Sequence, residues 1–129
     1  MDDQKNQVLW ISPEHLRGIS FPDCEVVRFE FSASRLFCQL SGIHVENTGM
    51  IHANVQLIIS GWTCVSVQRF DSNGIDTVDL ELAESGSLKD ICEWRMNGSE
   101  LSFAGFEENS GLWQLYRFEG GTVQVGYAS

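Results

Sequence analysis

The stretch ICEWRMNGSELSFAGFEENSGLWQLYRFEGGTVQVGY, residues 91–127, decides the fold. Apolar and polar residues alternate through it with a period of two, the repeat of a strand with one buried face. Three turn signals interrupt the alternation. Asn97-Gly98 and Gly120-Gly121 accept the positive φ that two-residue hairpins require, and Glu108-Asn109-Ser110-Gly111 makes a four-residue loop. A hairpin centred on Asn97-Gly98 predicts Trp94 opposite Leu101, Cys92 opposite Phe103 and Arg95 opposite Glu100. The 108–111 loop predicts Phe103 against Tyr116, Leu101 against Phe118 and Phe106 against Trp113. Gly120-Gly121 predicts Phe118 with Val123 and Tyr116 with Val125. A slip of one residue would turn every one of these side chains to the wrong face. The agreement of the three turns therefore predicts a four-stranded carboxy-terminal meander from Ile91 to Tyr127.

The same alternation runs upstream. Val27, Phe29 and Phe31 oppose Arg28 and Glu30; Leu36, Cys38 and Leu40 alternate with Phe37 and Gln39; Ala53, Val55, Leu57 and Ile59 alternate with Asn54 and Gln56. Val65 and Val67 continue the pattern, and Val78, Leu80 and Leu82 alternate with Asp79 and Glu81. Pairing Leu40 with Val55, Cys38 with Leu57 and Leu36 with Ile59 buries one consistent face. Helix is minor: Ser12-Pro13-Glu14 reads as a capped start that Gly18 ends, and Ser87 to Ile91 as a helical turn. The expected fold is all-β, or β-rich with one or two short helices. Its strands form an antiparallel sandwich or a strongly curved, barrel-like sheet, in a single domain over residues 1–129.

Composition narrows the function. The chain has 129 residues, 43% hydrophobic, enough for one core. Eighteen Asp and Glu face eight Lys and Arg, for a formal net charge of −10. Such a field repels phosphate backbones and anionic membranes and favours a cationic partner. The amino-terminal MDDQKNQVLW lacks the basic start and apolar run of a secretory signal, which predicts a cytoplasmic protein. Cys24, Cys38, Cys64 and Cys92 form no C-x-x-C pair, so buried thiols are expected, Cys38 and Cys92 above all.

Residues that could carry chemistry do not converge. His44 and His52 flank a turn, but the Leu40–Val55 register sets His44 opposite Ile51 and His52 opposite Ile43, on opposite faces, where they share no ion. A zinc site would need three or four ligands together. Asp71-Ser72-Asn73-Gly74-Ile75-Asp76 has the oxygen-rich look of a calcium loop, but the twelfth position is Leu82 rather than a bidentate Glu. There is no G-x-S-x-G elbow and no phosphate-cradling glycine loop, and Asp79, Glu81 and Glu84 read as the wet side of a strand. No catalytic residue, metal ligand or cofactor is assigned, and an enzyme is not expected. Among the aromatics, Phe106 and Trp113, with Leu115, face away from the Trp94, Phe103 and Tyr116 side. That second face either packs under another sheet or stands as an exposed apolar patch bordered by Glu107-Glu108.

The run Trp94 to Phe106, then Ser110-Gly111-Leu112-Trp113 and Tyr116-Arg117-Phe118, resembles the closing strands of small cytosolic immunity proteins of bacterial polymorphic-toxin and contact-dependent inhibition systems. In those a W…G…L-x-[IF]-x-G-F core is followed by S-G-x-W. The resemblance implies a role, the neutralising of one cognate toxin domain, often a basic nuclease, and carries over no binding residue. Position and charge nominate Asp71, Asp76, Glu107 and Glu108 as acidic contacts and Trp113 as an aromatic one. The alternatives are a small-ligand carrier, with a cavity lined by residues such as Phe29, Phe31, Leu57 and Ile59, and an enzyme with polar groups clustered in a cleft.

Overall fold

The computed structural model describes residues 8–11, 19–20, 24–32, 34–45 and 50–128. The expected helix after Ser12 and the turn at 47–49 lie outside them. Among the described residues the strands are β1 (Val8–Trp10), β2 (Ile19–Ser20), β3 (Cys24–Ser32), β4 (Arg35–Val45), β5 (Met50–Phe70), β6 (Thr77–Leu80), β7 (Asp90–Ile91), β8 (Glu93–Asn97), β9 (Glu100–Phe106) and β10 (Trp113–Ala128). Every pairing is antiparallel, and the main path runs β7-β3-β4-β5-β10-β9-β8.

Two strands organise the rest. β5 has 21 residues and β10 has 16. Held straight, β5 would run roughly 70 Å, twice the width of about 30–40 Å expected for a domain of this size. Both strands therefore bend, and they do so side by side. Gly61 in β5 and Gly120-Gly121 in β10 all have positive φ, and the β5–β10 register shifts by one residue between Glu119 and Gly120. The Thr63 hydroxyl donates to the Glu119 carbonyl across the irregularity, at 3.0 Å. A Cβ at Gly121 would lie 2.7 Å from the Ser60 carbonyl oxygen, so glycine is needed there for space as well as for φ.

Beyond the bend the sheet folds back over itself. One limb contains β3, β4, the first half of β5, the last half of β10, and β1. The other contains β6, the second half of β5, the first half of β10, β9 and β8. Phe29 on β3 meets the Tyr116 ring on β10 at 5.6 Å, although β4 and β5 lie between their strands in the sheet. The architecture is thus one open, strongly curved sheet whose limbs share two strands at a corner, the device used in orthogonally packed β structures. The path ends on β7 and β8, which only Cys92 separates in the chain.

The interior holds Leu36, Cys38, Leu40, Val55, Leu57, Ile59 and Val125 from one limb and Val67, Leu101, Phe103, Tyr116 and Phe118 from the other. Phe103 stacks on Tyr116 at 5.1 Å and on Phe118 at 5.8 Å. Of the residues that the carrier reading would use to line a cavity, two sit in this core and two, Phe29 and Phe31, are half-buried and pack against it. Leu57 and Ile59 are fully buried, and Phe29 meets Phe31 edge-on at 5.0 Å.

The β4–β5 register is the expected one: Leu36↔Ile59, Cys38↔Leu57, Leu40↔Val55, with His44↔Ile51 and Ile43↔His52. So is β9–β10, with Leu101↔Phe118, Phe103↔Tyr116 and Phe106↔Trp113. Several expectations are corrected. Of the thiols expected to be buried, Cys38 is buried, Cys92 is half-buried and Cys64 is exposed. The β8–β9 hairpin turns on Gly98-Ser99, pairing Asn97 with Glu100, Met96 with Leu101 and Trp94 with Phe103. That is a slip of two residues, which leaves every face unchanged. Gly120-Gly121 make no hairpin, so the meander has three strands. Residues 122–128 continue β10 along β5, where Val123 meets Ile59 and Val125 meets Leu57. A register shift between Val26 and Arg28 turns Val26 toward the core and leaves Val27 more than half exposed. Finally, the helical turn is a 3-10 turn at Leu82–Glu84, while residues 88–91 are extended and bind both β3 and the end of β9.

Candidate functional site

The outer face of the β6–β8 limb follows from the registers. Trp113 lies opposite Phe106 on β9, and Phe70 ends β5 beside it, followed by Thr77 on β6. One row of the sheet thus carries Phe70, Trp113 and Phe106. The next carries Asp79, Gln68, Leu115, Ala104 and Glu93. Phe106 and Trp113 meet edge-on at 5.1 Å, and Phe106 remains 39% exposed. Of the two alternatives for this face, the structure shows the exposed patch. Phe70, Asp71, Phe106, Leu112 and Trp113 line a shallow recess of about 520 Å³.

Two turns frame the recess, and each is braced by its own side chains. In the turn after β5, the Asp71 carboxylate accepts from the Asn73 N–H at 3.0 Å. The Asn73 carbonyl accepts from Ile75 at 2.7 Å and from Asp76 at 3.2 Å, and the Asn73 amide donates to the Asp76 carboxylate at 3.2 Å. Short polar side chains that bond their own backbone are what Asp and Asn bring to turns. Asp71 and Asp76 thereby present exposed, fixed negative charge at the rim.

The second turn hangs on Glu107, which is almost completely buried. Its carboxylate accepts from the backbone N–H of Asn109 and of Ser110, each at 2.9 Å, and lies 3.6 Å from the Arg69 guanidinium. Burial pushes this carboxyl up. The two N–H groups, the Ser110 hydroxyl and the Arg69 charge outweigh burial and hold it below the usual carboxylate range.

Arg69 in turn donates to the Gln114 side chain at 2.7 Å and to the Ser85 carbonyl at 3.1 Å. Gln114 donates to Ser85 at 2.8 Å and to the Tyr116 hydroxyl at 2.7 Å, and that hydroxyl donates to the Ser85 hydroxyl at 3.0 Å. Burial raises the Tyr116 phenol to about 12, against the opposing effect of its two hydrogen bonds. Among the described residues no buried side-chain polar atom lacks a partner. The network ties the loop around Ser85 and the loop after Glu107 to β5 and β10, and so fixes the strand ends that carry Phe70 and Trp113.

Of the residues nominated from sequence, Asp71 and Trp113 come together in the recess, and Asp76 stands in the same turn as Asp71. Glu108 is exposed but lines a different depression, with Glu25, Lys89 and Asp90. Glu107 points inward and holds its loop. Sequence reading missed Leu112, the chain neighbour of Trp113, and Phe70, because the β5–β10 pairing that places Phe70 beside Trp113 joins segments some 45 residues apart. Among the described residues no three His, Cys, Asp or Glu converge as metal ligands would. Comparison with family models, with curated proteins and with solved structures finds no match for this chain.

Proposed function

We propose that this chain is a protein-binding inhibitor of the immunity type, acting in the cytoplasm to neutralise a cognate basic toxin domain. The observation that carries the reading is the row Phe70, Trp113, Phe106, partly exposed on a sheet face with the Asp71 carboxylate beside it. Interfaces draw most of their energy from a few aromatic anchors set in shallow pockets, and a carboxylate at the rim steers a cationic partner and fixes its orientation. The net charge of −10 supplies the long-range attraction. A rigid sheet and two self-braced turns need little ordering on contact, which favours affinity. The resemblance of residues 94–118 to immunity-protein strands points the same way.

The test is titration calorimetry against a purified basic toxin domain, sought first among the reading frames that neighbour this one. Trp113→Ala and Phe106→Ala should each weaken binding by roughly thirtyfold, the scale of an interface hot spot. Asp71→Lys and added salt should both weaken binding. Affinity indifferent to all three substitutions and to salt refutes the reading.

A further inference from the structure

We infer that the free edge of β6 takes an extended segment of the partner, one whose side chains alternate between apolar and cationic. This rests on the protein-binding reading and names the element and pattern that the partner presents. Among the described residues β6 pairs only with β5, so Thr77–Leu80 offers its outer backbone groups to an added strand. Of the devices that blunt natural edges, β6 has no Lys, no Pro and no bulge; it is a short strand of four residues with one charge, Asp79. It exposes Val78 at 58%, and the turn before it exposes Ile75 at 78%. Both are large apolar side chains left mostly in solvent.

The pattern of the guest follows from the pleat. Val78 and Leu80 share one side of the strand, and Thr77 and Asp79 the other. An incoming strand therefore meets an apolar row on one side and a carboxylate on the other. Between Arg69 and Lys89 the chain carries Asp71, Asp76, Asp79, Glu81 and Glu84 and no Lys or Arg, so the complementary charge is positive along the whole edge. A second copy of this chain fits poorly, because pairing β6 with β6 would bring these carboxylates together, and like charges across strands destabilise.

The probe is the acetylated, amidated peptide Arg-Val-Arg-Val-Arg, followed by amide NMR on the whole isotope-labelled chain. Two analogues, N-methylated at alternate amides, divide the backbone groups that would face β6 from those that would face solvent. The peptide is expected to shift the amides of residues 77–80 and to protect from exchange the alternate ones that point away from β5. One analogue should lose about tenfold in affinity while the other binds as the parent does, and Asp79→Lys should weaken the parent several-fold. Any other pattern with the two analogues, shifts centred elsewhere, or an undiminished affinity in Asp79→Lys overturns the inference. So does concentration-dependent protection of the 77–80 amides without peptide, which would assign the edge to a second copy. Should Trp113→Ala rather than Asp79→Lys abolish binding, the segment lies on the aromatic row; the edge assignment then fails while the proposed function stands.

Discussion

Glu107→Gln is the perturbation that best tests how the site is held. The substitution removes the charge beside Arg69 and replaces one acceptor oxygen with an amide that faces a backbone N–H. A charge-assisted hydrogen bond contributes about 1.5–3 kcal/mol. Breaking a fully buried ion pair costs about 3–5 kcal/mol, but Arg69 keeps a quarter of its side chain in solvent and two other acceptors, Gln114 and Ser85. The expected loss is about 2–3 kcal/mol. An unfolding entropy of about 2.1 cal/mol/K per residue gives roughly 270 cal/mol/K for a chain of 129 residues, so Tm should fall by about 7–11 °C.

Calorimetric melting at pH 7 measures this, and a second axis checks its origin. The folded-state carboxyl lies below its ordinary value, so its contribution is complete above 4.5 and is lost as pH falls through the lower folded value. The gap between parent and variant should therefore be full at neutral pH and close only in acid below 4.5. A shift under about 2 °C, or a gap that stays constant into strong acid, would refute the reasoning.

Three other outcomes follow from the geometry. Tyr116→Phe removes both hydrogen bonds of the buried hydroxyl and should cost about 1–2 kcal/mol by denaturant titration. In the parent, the folded phenol holds its proton up to about 12, so stability should decline from the ordinary value of 10.0 toward 12, and Tyr116→Phe should remove that part of the alkaline loss. Gly105→Ala should destabilise by about 1–3 kcal/mol or more, because a Cβ there would overlap the Asp90 carbonyl; an unchanged denaturation midpoint would contradict the close approach of residues 88–91 to β9. With a thiol reagent at mild alkaline pH, peptide mass mapping should find Cys64 modified in the native protein and Cys38 modified only after unfolding, since Cys64 is exposed and Cys38 is buried with its thiol pushed up.

The core was legible wherever alternation ran without interruption. Leu36–Leu40 against Val55–Ile59, and Leu101–Phe106 against Trp113–Phe118, paired as written, because a shared buried face leaves a strand few registers to choose from. Local chemistry was ambiguous at Gly120-Gly121. Positive φ at adjacent glycines serves a hairpin and a bend equally, and here the partner strand, with its own Gly61, selects the bend. Val27 was misassigned because one extra residue in a strand leaves no trace in the alternation of its own side chains.

At the site, Glu107 and Glu108 look alike in composition but differ in parity. Counting by twos from Leu101 through Phe103 and Gly105 reaches Glu107, which marks it as inward-facing. The face of Phe106 and Trp113 was readable in the same way. Its third member, Phe70, needed the long-range β5–β10 pairing, which the short alternation around Val65 and Val67 did not specify.

The sharing of β5 and β10 by both limbs has a consequence for how the molecule comes apart. Neither limb owns a complete set of strands, so shedding one would strip the other of its central pair. Loss of structure should therefore be all-or-none, with amides in Val55–Ile59 and in Tyr116–Phe118 exchanging at a common, globally limited rate although they lie on opposite sides of the corner.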